Sequence, residues 1–487
     1  MNTRFLVLFI ILTLPLSLTD CARNPVTGKK EVALMSQAQE QALGDESDPQ
    51  IVAAYGLYED SKIQQFINQK GRQMAQVSHR PELTYTFKVL DSPVVNAFAL
   101  PGGYVYFTRG IMAHFNNEAE FAGVLGHEIG HITARHTVKQ HTSQLLGNIG
   151  LLAGIIVSPT FRQFADQASQ GLGLMFLKFG RDHESESDEL GVEYSTKIGY
   201  DAHQMADFFQ TLNRLQTKAG VSLPDFLSTH PNPGDRYNTV HALADQWQVK
   251  YPQSTKINRD LYLKMIDGMI YGDDPKQGFV EDGKFYHPVL KFEYPIPADW
   301  QLQNSPTMVQ MAPQDGKALM QFSLSPEKTT GAAANKLIQD VGLQVVERQN
   351  SQINGFPAVV LLSDQTPEAQ NGQAASTNRI LSYFIEYGDM IYVFHGMAAK
   401  NDFNNYVSKF KSTMTQFKEL TDQQKINKKP VRIKVVRVQQ AGNLKDVLKD
   451  FGVSSVDLEE LAIINGMELS DQLQTGMHLK VFNQELN

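Results

Sequence analysis

The segment NNEAEFAGVLGHEIGHITARH, residues 116–136, is the part of the sequence that most strongly indicates the fold and the functional site. Its apolar residues recur at helical spacing, which predicts one amphipathic helix. His127 and His131 are four residues apart, so in a helix both imidazoles project from the same face. Two neutral imidazoles placed in this way can bind a single zinc ion, and Glu128 beside them can take a proton from a water molecule that the zinc activates. The pattern predicts a metal-dependent hydrolase with one Zn²⁺ per chain.

A zinc site of this kind needs a further protein ligand, and the candidates lie in KFGRDHESESDELGVEYSTKIGYD, residues 178–201. Glu184 and Asp188 share one helix face, whereas Glu186 points about 160° away from it. We predict Glu184 as the carboxylate ligand and Asp188 as an acceptor that orients a zinc-bound imidazole. His183 and Glu186 remain rival ligands. His136 lies one residue short of the position where metzincins carry their third histidine.

Composition excludes several classes of protein. The 487 residues are enough for about three domains, and 42% hydrophobic with 20% charged residues is typical of globular proteins. The net charge of −8 argues against nucleic acid as a partner. A single cysteine excludes intramolecular disulfides and cysteine-based zinc knuckles.

The beginning of the chain predicts export. Residues 5–18 form an apolar run behind Arg4 that is too short to span a bilayer, which is typical of a signal peptide, here residues 1–20. Cys21 follows as in the lipobox of bacterial lipoproteins, although Asp20 departs from the small residue expected before it. We expect a periplasmic protein anchored to the outer membrane by lipid on Cys21. The alternative is an ordinary secretory signal with an incidental cysteine.

The fold class predicted for the rest is α+β and multidomain. Residues 21–275 read as a mainly helical metallopeptidase domain with a small β-sheet, in which the short apolar segment 145–157 is expected to be buried or lid-like. Strand-like and helical pieces alternate over 285–420, an α+β accessory domain with a predicted hairpin turn at Glu386–Asp389. A linker at 421–430 precedes a small βααβ module at 431–487.

Five ordered motifs carry a resemblance over about residues 24–245. They are NPVTGKKEVALMS, VNAFALPGGYVYFTRGIM, EAEFAGVLGHEIGHITARH, GRDHESESDELGVEYSTKIGYDA and STHPNPGDR. Together they resemble the HtpX and CAAX-prenyl endopeptidase family of zinc metallopeptidases, in particular its BepA-like and LoiP-like exported branch. The resemblance implies a gluzincin fold with His127, His131 and Glu184 as zinc ligands and Glu128 as general base. Ser187 stands where the family usually has alanine.

The same family places its T-H-P loop, here around His230, near the metal. There His230 is expected either to stabilise the oxyanion of the transition state or to occupy the open zinc position as a plug, and a purely structural role is the alternative. Pro231 favours an extended backbone at His230. Arg236 is expected to pin the loop through Asp188 or Glu186.

Substrate binding is predicted at the strand that precedes the turn at residues 101–103. An extended polypeptide could add to this strand by main-chain pairing, with Asn96, Ala97 and Phe98 as the contacting residues. Such pairing suits unfolded or misassembled envelope proteins. The alternative is a purely structural hairpin.

The C-terminal module resembles LysM modules, which bind peptidoglycan, through Gly442, Asn465, Gly466 and Gly476. A packing module without a glycan site is the alternative. Six cations and no acids between Lys425 and Arg437 indicate either a solvated face or contact with anionic cell-wall or lipid groups. The predicted function is a zinc endopeptidase of the cell envelope, with a chaperone-like or peptidoglycan-binding protein as the alternative.

Overall fold

The computed structural model of the protein describes residues 21–32, 35–140, 179–219, 226, 229–230, 235–366 and 377–483. The predicted signal peptide at 1–20 and the apolar segment at 145–157 lie outside the described residues. Within the described ranges, every helix is too short or too polar to cross a membrane.

The N-terminal domain combines helices with a three-stranded sheet in the order β3-β5-β4. Strand β5 runs parallel to β3 and antiparallel to β4, so β4 lies at an edge of the sheet. The elements are β1 (Cys21–Arg23), β2 (Lys30–Val32), α1 (Gln37–Tyr55), α2 (Ser61–Ala75), β3 (Thr86–Leu90), β4 (Ala97–Leu100), β5 (Tyr104–Thr108), α3 (Arg109–His114), α4 (Glu118–Thr133), α5 (Arg181–Lys197), α6 (His203–Ala219), α7 (Arg236–Lys250) and α8 (Arg259–Ile266).

Helix α4 lies at the centre of this domain, and every residue in it is buried. It begins where the Asn117 side chain accepts a hydrogen bond from the Glu120 amide, a typical N-cap. Helix α5 packs closely against it, because a Cβ on Gly126 would lie only 2.9 Å from the carbonyl oxygen of Gly191. This glycine contact lets the two backbones approach until side chains from both helices converge on one point.

The accessory domain has a seven-stranded antiparallel sheet in the order β12-β13-β14-β15-β11-β10-β9. Alternate residues of its central strands pack in two separate clusters, one with α9 and the other with α10, so a helix covers each face. The predicted turn at Glu386–Asp389 joins β14 to β15, with Gly388 at φ 60°. The elements are β6 (Phe279–Glu281), β7 (Lys284–His287), β8 (Phe292–Pro295), β9 (Trp300–Asn304), β10 (Met308–Pro313), β11 (Ala318–Ser325), α9 (Thr330–Val341), β12 (Gln344–Ile353), β13 (Phe356–Gln365), β14 (Asn378–Tyr387), β15 (Met390–Ala399), α10 (Phe403–Met414) and β16 (Lys418–Glu419).

The stretch predicted as a linker is held against the accessory domain. It contains the short helix α11 (Gln423–Ile426), and Lys425 and Lys428 both pair with Glu281 on β6. Two of the six cations noted in the sequence therefore make internal ion pairs.

In the C-terminal module, two helices lie between two pairs of strands. Its elements are β17 (Arg432–Arg437), β18 (Gly442–Asn443), α12 (Leu444–Asp450), α13 (Leu458–Ile464), β19 (Gln472–Leu473) and β20 (His478–Asn483). The module packs on the N-terminal domain: Lys480 is fully buried, and its Nζ donates to the carbonyls of Ala113 and Phe115 at 3.0 Å. These carbonyls lie just before α4, so the module supports the start of that helix.

Candidate metal centre

Four side chains from α4, α5 and the segment before α7 meet at one buried point. They are His127, His131, Glu184 and His230, each at most 2% exposed. The Nε2 atoms of His127 and His131 are 3.0 Å apart, and each lies 3.6 Å from a carboxylate oxygen of Glu184. All four ligand-type atoms lie within 4.8 Å of one another. Neither rival ligand, His183 nor Glu186, belongs to this group.

The arrangement of the two helix histidines indicates that this point suits a cation. A proton on Nδ1 of His127 can be donated to the Asp188 carboxylate, 2.9 Å away, and this tautomer leaves a lone pair on Nε2. Burial, with the neighbouring imidazoles, holds the pKa of His131 well below its ordinary value, so this side chain is neutral. Two facing Nε2 lone pairs at 3.0 Å repel each other unless a positive ion lies between them. The residues present therefore fit a bound metal ion.

Asp188 and Arg236 fix the orientation of His127. Arg236 donates from Nε and Nη2 to the two Asp188 oxygens at 2.8 and 2.6 Å. Burial alone would raise the pKa of Asp188, but the Arg236 guanidinium and the His127 hydrogen bond outweigh it and keep this carboxyl ionised. Of the two partners expected for Arg236, the structure selects Asp188.

His131 is oriented by a chain of hydrogen bonds that was not predicted from the sequence. Its Nδ1 lies 2.9 Å from Nδ1 of His136, whose Nε2 lies 3.0 Å from a Glu186 oxygen. The tautomers follow from this chain: His131 donates to His136, and His136 donates to the carboxylate. Glu186 therefore accepts a hydrogen bond from His136 and does not reach the metal ligands. Its position in the helix predicted that it points away from Glu184. His183 stacks on His136 at 4.3 Å between ring centroids.

Glu128 is fully buried beside the four ligand-type atoms. Among the described residues, neither of its carboxylate oxygens has a hydrogen-bond partner, and burial raises its pKa above the ordinary value. A buried carboxylate without partners can accept a proton at little cost, which is what a general base requires.

His230 occupies the fourth corner of the group. Its Nδ1 lies 3.1 Å from Glu184 and 3.3 Å from His127 Nε2, while its Nε2 is 3.7 Å from Glu128. Burial disfavours charge on this imidazole, but the carboxylates of Glu184 and Glu128 outweigh burial and raise its pKa. The His230 amide donates to the Phe226 carbonyl at 2.8 Å, so His230 follows a helical turn. Residues 231–234 lie outside the described residues.

The predicted substrate strand is the edge strand β4, but its outward groups differ from those expected. The Thr108 amide donates to the Asn96 carbonyl, so in this antiparallel ladder Asn96 and Phe98 direct their backbone groups toward β5. The backbone groups of Ala97 and Ala99 point outward instead. Ala99 and His131 line the same small pocket. Alternation along the strand therefore directs the backbone groups of Ala99 outward, and not those of Phe98.

A helix with two histidines and a glutamate, crossed by a second helix that brings a carboxylate, defines a site of the metallopeptidase class. Residues 61–244 match the family model described as Peptidase family M48, so this part of the chain is similar to that family.

Relatives of known name agree with that class. The chain is 29% identical to "Beta-barrel assembly-enhancing protease" of Yersinia pestis, over 51% of this chain and 52% of the relative. It is 27% identical to the protein of the same name from Escherichia coli K12, over 49% and 50% of the two chains. It is 31% identical to "Mitochondrial metalloendopeptidase OMA1" of Arabidopsis thaliana, over 36% and 35%. The chain spans about half the length of the two bacterial relatives and about a third of the length of the plant relative.

Proposed function

We propose that this protein is a zinc-dependent endopeptidase of the bacterial cell envelope that hydrolyses peptide bonds in unfolded or misassembled envelope proteins. The observation that carries the proposal is the buried group of His127, His131 and Glu184 with the unpartnered carboxylate of Glu128 beside it.

Zinc is the metal that these ligands favour. Imidazole nitrogens with one carboxylate, and room for a fourth position, are the donor set of catalytic zinc sites. When bound, zinc would supply Lewis acidity to an attacking water molecule and to the substrate carbonyl. Asp188 and His136 would hold His127 and His131 in the tautomers that leave Nε2 free for the metal.

Glu128 would perform the proton transfers. It would accept a proton from the attacking water and then give it to the amine nitrogen that leaves when the peptide bond breaks. An extended substrate would pair with the outward backbone groups of Ala97 and Ala99, and a small pocket lined by both Ala99 and His131 connects this strand with the metal ligands. Pairing through the backbone selects for unfolded chains because folded ones have no free strand to offer.

His230 would hold the resting enzyme inactive. Its Nδ1 lies among the ligand atoms, at the position that water and substrate would need. This geometry supports the plug over a role in oxyanion stabilisation, for which the imidazole would have to stand back from Glu184. A substrate that fills the cleft would then have to displace the His230 side chain before cleavage.

The proposed location in the envelope rests on the predicted signal peptide, on Cys21 as a lipid-attachment residue, and on the names of the bacterial relatives. Peptidoglycan contact through the C-terminal module is a further part of this proposal. The buried position of Lys480 supports a packing role for the same module against the peptidase domain.

The test is a Glu128→Gln variant, which keeps the shape of the side chain and removes the base. We expect casein hydrolysis to fall by several orders of magnitude while zinc content stays near one ion at the catalytic site. Glu189→Gln, an exposed position on α5, is the matched control and should behave as wild type. Full activity in Glu128→Gln would disprove the mechanism, whereas a chaperone-like role would survive this substitution.

A further inference from the structure

A second group of metal-ligand side chains lies where α6 packs against α7, separate from the catalytic group. His203 is the first residue of α6, and His241 and Asp245 are one turn apart on α7. One ligand atom from each lies within 4.8 Å of the other two. His203 Nε2 is 3.0 Å from one oxygen of Asp245, and His241 Nδ1 is 3.6 Å from the other. The two imidazole rings are 4.6 Å apart.

The orientation of His203 is fixed from behind. Asp201 accepts hydrogen bonds from the His203 backbone amide at 3.1 Å and from its Nδ1 at 2.6 Å. A carboxylate that holds one ring nitrogen leaves the other nitrogen free to bind a metal, and this is the usual support for a histidine ligand. The Asp201 amide in turn donates to the Lys256 carbonyl, so the supporting residue is itself held in place.

The negative charge of the carboxylates around the two imidazoles favours a bound cation. Asp201, Asp245 and Asp207 are all near enough to interact electrostatically with His203. Three carboxylates beside two imidazoles form a site whose negative charge one dication would offset. Two nitrogens and one carboxylate oxygen, with water at the remaining position, form a donor set that zinc accepts readily.

We propose that His203, His241 and Asp245 form a second zinc site, which ties α6 to α7. The same helix pair positions Arg236, whose guanidinium lies 4.0 Å over the Phe209 ring of α6. Because Arg236 holds Asp188, zinc at the second site would stabilise the helix pair behind the catalytic centre. The proposal goes beyond the catalytic function and does not depend on it.

The experiment uses the untagged chain with His131→Ala, which removes a catalytic ligand and leaves the second site intact. Zinc is measured after equilibrium dialysis at low micromolar free Zn²⁺, and thermal unfolding is followed with and without the metal. We expect about two zinc ions in the unaltered chain, one in His131→Ala and none in His131→Ala with His241→Ala. Zinc should raise the unfolding temperature of His131→Ala but not that of His131→Ala with His241→Ala.

His478→Ala in the His131→Ala background is the matched control. His478 also pairs with an aspartate, Asp260, at 2.9 Å and has a side chain about as exposed as that of His203, but it lacks the second imidazole. This control should keep the remaining zinc. If His131→Ala binds no zinc, or binds it equally after His241→Ala, the group is an ion pair only and the proposal is overturned. Either result leaves the Glu128→Gln test unaffected.

Discussion

Replacing His230 with alanine should activate the enzyme. In the closed arrangement the His230 Nδ1 lies 3.1 Å from the buried Glu184 carboxylate, so opening the site must break a charged hydrogen bond. Such bonds contribute about 1.5–3 kcal/mol to stability. A closed state favoured by that much leaves roughly 1–10% of the molecules open, because every 1.4 kcal/mol corresponds to about a tenfold change in population. His230→Ala should therefore raise kcat/KM by roughly 10- to 100-fold.

The assay is hydrolysis of fluorescently labelled, unfolded casein at limiting substrate, with zinc content measured on the same preparations. Glu189→Gln is the control, since Glu189 is exposed on α5 and outside the ligand group. It should leave activity close to that of the unaltered chain. A His230→Ala variant with full zinc and lower activity would refute the plug and assign His230 to stabilisation of the transition state. Unchanged activity and zinc affinity would make the residue structural.

Three further predictions concern the surroundings of the metal. Asp188→Asn should lower zinc affinity by about 10- to 100-fold, because it weakens the hold on His127, as competition with a chromogenic chelator would show; unchanged affinity would contradict this. His136→Phe keeps an aromatic ring at this position but cannot accept the proton of His131. Zinc affinity should therefore again fall about 10- to 100-fold, while the unfolding temperature of the metal-free chain should change little. Ala99→Pro should block casein cleavage and spare zinc because it removes an outward amide, whereas Ala99→Val should cleave normally; equal cleavage by both would rule out pairing at this strand.

The local features of the site follow from the sequence. His127, Glu128 and His131 share a helix whose periodicity is visible in residues 116–136, and spacing alone places the two imidazoles on one face. The same geometry placed Glu184 with Asp188 and turned Glu186 away. The hairpin at Glu386–Asp389 is equally local, since Gly388 accepts the left-handed backbone that the turn needs. These features depend on residues a few positions apart, where backbone geometry leaves few alternatives.

The contacts between distant segments could be identified only from the tertiary structure. Asp188 lies 61 residues from His127 and His230 lies 103 residues from it, and nothing in the spacing says which nitrogen each would approach. For Arg236 the sequence left Asp188 and Glu186 open, and the packing of α7 against α5 decided between them.

The contact between His131 and His136 could not be predicted from the sequence for the same reason. His136 follows α4 rather than belonging to it, and its direction depends on Arg135, whose left-handed backbone at φ 58° bends the chain after the helix. The burial of Lys480 and the meeting of His203 with His241 likewise arise where separate elements pack. Periodicity fixes which face of a helix a residue occupies, but the neighbour on that face is set by how whole helices and modules fill space together.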